Sequence, residues 1–244
     1  MHYTAIENGT NGKWYGRIID LLGSITKANS REELVLNLEN EKHEYILWLK
    51  GYNEDLSVYL HDKLIIKEEI SNISQLGESG GTVALFEYDK RVVSSERLKY
   101  FFKLMEYSRK TLLELIKDIQ PKKMAEQVSQ NNRTIIQVLH HICNTEEWYK
   151  SRLGEEADFL YEKHLGISVD YLDQKPIIER LEYVRKGCLN VLNDLIVQKG
   201  AKIFTREAYT NYPEEPWTAH KVLRRFIEHE REHYYSIRTM KQSL

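Results

Sequence analysis

The sequence predicts a small α+β domain followed by an all-α antiparallel four-helix bundle. Three observations carry this reading. Eight of the twelve glycines fall before residue 90, among short segments rich in aromatic and branched residues, which is the composition of strands joined by turns. All four prolines (Pro121, Pro176, Pro213, Pro216) lie in the second half, where apolar residues recur at spacings of three and four. Four such helical stretches of about 20 residues follow one another with no strand between them, as a bundle requires.

In order along the chain, YTAIE, KWYGRIID and SITKA are expected strands, separated by turns at Asn8–Gly12 and Leu22-Gly23. Ser30-Arg31-Glu32-Glu33 forms a capping box that opens a helix through LVLNLENEKHEYILWLKGY, with Gly51 as its C-cap. Leu56–Leu60, Lys63–Glu68 and Thr82–Tyr88 also have strand character. These elements define a domain over residues 1–92. The bundle, residues 93–244, starts with Leu98, Phe101, Phe102, Met105, Leu112 and Ile116 on one stripe that ends before Pro121. Thr134 and Gln137 cap a second helix whose buried face is Ile135, Val138, Leu139, Ile142, Tyr149 and Leu153. A third helix runs from Ile177 to Gln198, and a fourth, capped by Thr218, carries Val222, Phe226, Ile227, Ile237 and Met240.

The 35 basic and 37 acidic residues nearly cancel, so no strong overall field draws in nucleic acid or an anionic membrane. The apolar runs are too short to span a bilayer, and two cysteines with no signal-peptide pattern point to the cytoplasm. A small molecule is the expected substrate, and a homodimer is the oligomer to test.

The chemistry concentrates in His229-Glu230-Arg231-Glu232-His233 on the fourth helix. H-E-x-x-H is the zinc-protease pentapeptide, but such proteases take a third ligand from downstream, and the eleven residues after His233 include no histidine, aspartate or glutamate. His229 and His233 continue the stripe Val222, Phe226, Ile237, Met240, so both face the bundle interior, whereas Glu230 falls about a quarter turn away. Two imidazoles buried together need partners for their nitrogens, and a shared metal satisfies both while keeping them neutral. The bland alternative is a hydrogen-bonded core pair. A third ligand would come from His140-His141 on the second helix, which flank the apolar stripe on opposite sides, so periodicity does not choose between them. His220 is a weaker candidate. His2, His43, His61 and His164 read as surface residues.

TIIQVLHHICNTEEWYKSRL and EPWTAHKVLRRFIEHEREHYYSI resemble the second and fourth helices of the DinB-like superfamily of metal-binding four-helix bundles, a resemblance that covers Ser94 to the C-terminus. It implies a metal triad of His141, His229 and His233. It also implies one of two activities, thiol-dependent S-transfer or metal-dependent hydrolysis, with zinc or nickel as the metal and, for the transfer, a low-molecular-weight thiol. More weakly, GKWYGRIIDLLGSITKANSREELVLNL is similar to the HicB-like fold, without the DNA-binding tail of HicB antitoxins and with Ile19 where a proline commonly stands.

Three imidazoles leave a divalent ion with open positions, the arrangement of a catalytic rather than a closed structural site. Glu146 and Glu147, one to two turns after His141, are the candidate catalytic carboxylates, as base or as supporting partners; the bland reading is a solvated pair. Trp148, Tyr149, Trp217, Tyr234 and Tyr235 either line a pocket mouth or fill the core. Cys143 reads as a small buried residue. The non-enzymatic alternative is a metal or ligand sensor, or an interaction module whose HicB-like domain recruits a partner.

Overall fold

The computed structural model describes residues 1–128 and 133–244. The chain divides into two compact units: Met1–Arg91 with Ile203–Trp217, and Val92–Lys202 with Thr218–Leu244. The sequence reading runs the bundle unbroken from 93 to 244, whereas Ile203–Trp217 makes its contacts in the first unit.

The first unit is a four-stranded mixed sheet with one long helix. Strands β1 (His2–Gly9), β2 (Trp14–Ile18) and β3 (Thr26–Ala28) form an antiparallel meander, and β4 (Leu64–Ile73) adds parallel to β1, giving the order β3-β2-β1-β4. Helix α1 (Arg31–Lys50) packs on β2 and β3. Its start is the expected cap: Ser30 Oγ accepts from the Glu33 amide at 3.1 Å, and the Glu33 carboxylate accepts from the Asn29 amide at 2.9 Å. Gly16 lets the helix approach the sheet, since a Cβ there would stand 3.1 Å from Leu38.

Two expected strands are not strands. Ser57–Tyr59 is a turn of 3-10 helix, and Glu87–Lys90 is another, preceded by an irregular segment. The reason is visible in the hydrogen bonds of Thr82–Tyr88. The amides of Val83, Ala84, Phe86 and Glu87 donate to the side-chain carboxylates of Glu215, Glu7, Asp89 and Glu68 respectively, so carboxylates take the place of a neighbouring strand. Glu7 also accepts from Arg17 Nη2 at 2.6 Å, which compensates the charge of a fully buried carboxylate. Lys63–Glu68, by contrast, is a strand, and it extends to Ile73.

The second unit is built on four long helices: α2 (Ser95–Ile116), α4 (Ile135–Ser151), α7 (Ile177–Lys199) and α8 (Ala219–Gln242). A short α3 (Pro121–Met124) follows α2, while α5 (Glu155–Leu165) and α6 (Val169–Asp173) connect α4 to α7. Helix α2 packs on α8, α8 on α4, α4 on α7, and α7 back on α2, closing a ring around Phe101, Met105, Leu139, Ile142, Val191 and Phe226. Thr134 caps α4 with Gln137 completing the box, and Thr218 Oγ1 accepts from the Lys221 amide at 3.1 Å to cap α8. No helix among the described residues is long and apolar enough to cross a membrane.

Candidate metal centre

The apolar stripe of α8 turns His229 and His233 toward α4, and α4 presents His141 to them. The Nε2 atoms converge: His229 lies 3.1 Å from His141 and 3.0 Å from His233. All three ligand nitrogens fall within 4.8 Å of one another, the one such group of three or more among the described residues. The rings meet edge to face, with centroids 4.9, 4.9 and 4.4 Å apart, so the nitrogens rather than the ring faces point inward.

This arrangement fits a divalent ion. Imidazole nitrogens bind zinc at about 2.0–2.1 Å, which places two of them roughly 3.3 Å apart on a tetrahedral ion. Without a cation, three acceptor-capable nitrogens crowded together can satisfy at most some of their neighbours with the available protons. His141 and His229 are also held in the neutral form. Burial, with a smaller contribution from Arg133, lowers the His141 pKa to about 4. Burial, then His233 and His141, pushes His229 well below its usual value. Thr145 Oγ1 stands 3.4 Å from His141 Nδ1, where it can accept that nitrogen's proton and so leave Nε2 free to ligate.

Supporting residues surround His229. The Tyr149 ring packs edge-on against it at 5.8 Å, and the Tyr149 hydroxyl accepts from Arg225 Nη2 at 2.9 Å and Nε at 3.2 Å. Arg225 Nη1 donates in turn to Glu228 at 2.9 Å. Tyr149 is therefore core rather than pocket mouth, 4% exposed. Glu232, half-buried, is close enough to act electrostatically on His141. Sequence reasoning passed over Glu232 because attention to H-E-x-x-H falls on the second position of the pentapeptide, whereas on a helix the fourth position flanks the same face as the two histidines.

The remaining candidates go elsewhere. His140 Nδ1 lies 3.3 Å from Arg180 Nη1, on the α7 side of α4. His220 packs edge-on to Phe101 at 5.3 Å. His43 and His61 are exposed as expected, but His2 is buried, 3.3 Å from Asp20, and His164 is 2.8 Å from Asp194. Trp217 belongs to the first unit.

Glu146 and Glu147, expected at the site as catalytic carboxylates, are engaged away from the histidines. Glu146, 2% exposed, accepts from Arg109 Nη2 at 2.6 Å and Arg185 Nε at 3.0 Å. Glu147 accepts from the Tyr161 hydroxyl at 2.9 Å and lies 3.3 Å from Arg180. The helical angle explains both: residues five and six positions after His141 are turned about 140° and 120° from it. Cys143 is fully buried, and burial, with Glu146 nearby, pushes its thiol up to about 12.

A bundle that brings three imidazole nitrogens together from two helices defines a class of four-helix proteins with a metal-type ligand set. The family model of the DinB superfamily matches residues 104–237, more than half of the 244-residue chain, and the chain belongs to that superfamily. Two solved structures are similar to it. One is TT2238, a four-helix bundle protein, at 18% identity, covering 58% of this chain and 98% of the other with a TM-score of 0.42. The second is YfiT from Bacillus subtilis, described as a probable metal-dependent hydrolase with an unusual four-helix bundle topology, at 17% identity, 66% and 93% coverage and a TM-score of 0.44. None of the curated proteins compared with the chain matches it.

Proposed function

We propose that the second unit is a metal-dependent enzyme that holds a divalent ion on His141, His229 and His233 and hydrolyses a small substrate. The observation that carries this reading is the convergence of three Nε2 atoms from two helices. Zinc or nickel suits an all-imidazole set. When bound, the ion would act as a Lewis acid, with coordination positions left open for water or substrate.

The chain's own residues divide the remaining work. His141 and His229 stay neutral because burial disfavours their imidazolium forms. Thr145 fixes the plane of His141, and Tyr149, held by Arg225, backs His229. We assign to Glu232, whose charge acts on His141, the uptake of a proton beside that ring; Glu146 and Glu147 are turned away from the histidines. Thiol S-transfer is the second chemistry of the same site. The chain's own Cys143 and Cys188 are buried and held as neutral thiols, so transfer would need a soluble thiol as co-substrate.

The test is metal content first. Protein purified without a histidine tag should carry one equivalent of metal by elemental analysis, and His233→Ala should carry none; absence of metal from both, even after reconstitution, overturns the reading. Ester and amide panels, run with and without glutathione-type or other small thiols and an electrophilic aryl halide, then separate the chemistries. Turnover without thiol supports hydrolysis, and strictly thiol-dependent turnover replaces it with transfer.

We further propose that the first unit has a HicB-like fold. The support is its order of elements: β2, the Asp20-Leu21-Leu22-Gly23 turn, β3, then the Ser30-capped α1.

A further inference from the structure

The glutamate of the pentapeptide points away from the histidines and into the most highly charged part of the bundle core. Glu230 on α8 accepts from Arg109 Nε of α2 at 2.5 Å, and its second oxygen lies 3.1 Å from Arg185 Nη2 of α7. The same two arginines hold Glu146 of α4, through Arg109 Nη2 at 2.6 Å and Arg185 Nε at 3.0 Å. Each of the four long helices thus contributes one residue to a closed ring of alternating charge. All four are buried, at 8, 6, 2 and 1% exposure for Arg109, Arg185, Glu146 and Glu230. The arginines have further anchors in backbone: Arg109 Nη1 donates to the Leu181 carbonyl at 2.6 Å, and Arg185 Nη1 to the Met105 carbonyl at 2.9 Å. Burial alone would raise the Glu230 carboxyl, but the two guanidiniums hold it below its ordinary range.

We propose that this quartet is the positioning device of the histidine group: it fixes the rotation of α8 and α4 about their axes, and thereby sets where His229, His233 and His141 meet. The leverage lies in the helical angles. Glu230 follows His229 directly, so one turn of α8 carries both an anchor toward α2 and α7 and a ligand toward α4. Helix α4 repeats the arrangement, with Glu146 anchored and His141 presented. Rotating either helix by about 20° would sweep an imidazole nitrogen, roughly 6 Å from the axis, through about 2 Å, enough to break a shared coordination sphere. Fork-shaped guanidiniums bonded to two carboxylates and a carbonyl resist such a rotation in a way that apolar contacts do not. Glu230 is on this reading a positioning residue, not a base.

The metal-affinity half of the proposal rests on the three-histidine reading above; the ring-placement half does not, and the experiment separates them. Glu230→Gln keeps the shape and removes the charge. Asp158→Asn is the control, since it breaks the ion pair of Asp158 with nearly buried Lys150 in the same unit and leaves all four quartet side chains in place. Each folded, metal-free protein is first compared by the nitrogen and proton resonances of its imidazoles. Expected in Glu230→Gln is displacement of the His141, His229 and His233 resonances with His164 unmoved, and in Asp158→Asn no displacement. Titration with cobalt(II) then reads the site: the quartet variant should lose at least tenfold in affinity and shift the visible absorption of bound cobalt, while the control keeps both. Wild-type resonances and cobalt affinity in Glu230→Gln, with only a lower melting temperature, would overturn the proposal, as would equal displacement in the control. If wild type takes up no cobalt but Glu230→Gln still displaces the three rings, the metal reading fails and the positioning role stands. Should Glu230→Gln not fold, Arg109→Lys, which keeps the charge and loses the fork, is read in the same way.

Discussion

His141 and His229 stand 88 residues apart in the chain, and their Nε2 atoms are 3.1 Å apart in space. Two neutral imidazole nitrogens at that distance share one proton between them or aim both lone pairs at a common cation. With His233 Nε2 3.0 Å from the same His229 atom, a single proton cannot serve all three.

Added zinc or nickel should therefore stabilise the native protein by mass action. At a free metal concentration of 100 times the dissociation constant the gain is about 2.7 kcal/mol, which raises the melting temperature by roughly 5–10 °C for a unit of this size. Chelator should reverse the rise, and His141→Ala should abolish it. Scanning calorimetry of both proteins with and without metal makes the comparison; an equal rise in the variant would place the ion elsewhere.

Removing one cation from the quartet should cost far more than a surface substitution. Arg185→Met leaves Glu146 and Glu230 to share Arg109, and an undercompensated buried charge costs about 3–5 kcal/mol. Urea unfolding should show the midpoint fall at an unchanged slope. A loss under about 1 kcal/mol would mean that water reaches the carboxylates.

Glu147 supplies a pH signature away from the histidines. Its carboxyl is raised, chiefly by burial, and Tyr161 and Arg180 offset this only in part. A raised carboxyl favours folding most at pH below its unfolded value of about 4.5; the contribution is lost as pH rises from there through the folded value. Glu147→Gln removes this dependence while retaining an acceptor for Tyr161. Relative to wild type, the variant should therefore gain stability between pH 4 and pH 7 in paired urea titrations; a constant difference would contradict the assignment.

Both cysteines should be silent toward alkylating reagents in the folded state. With its thiol pushed up to about 12, Cys143 is thiolate to roughly one part in ten thousand at pH 8, and Cys188, also fully buried, is shifted in the same direction. Iodoacetamide with mass detection should label neither native thiol over an hour and both in urea. Rapid native labelling of Cys143 would show that the α4 core opens.

What the sequence determined by itself is local. Helical periodicity put His229 and His233 on one face of α8, because residues four apart on a helix overlie each other whatever surrounds them. The caps at Ser30, Thr134 and Thr218 were legible for the same reason, each being a contact to an amide three residues away. Thr82–Tyr88 was not legible: its apolar and branched residues suit a strand, but four carboxylates, three of them distant in sequence, claimed its amides. Between His141 and His140 periodicity did not choose; the family resemblance implied His141, and tertiary structure supplied the physical reason. The two flank the same stripe at similar angles, and the decision lay with which helix covered each flank, α8 for His141 and α7, through Arg180, for His140. Tertiary structure likewise supplied what holds Glu146 and Glu230, which their helical angles already turn from the histidines: the arginines that bind them come from 37 to 121 residues away and leave no trace in local spacing.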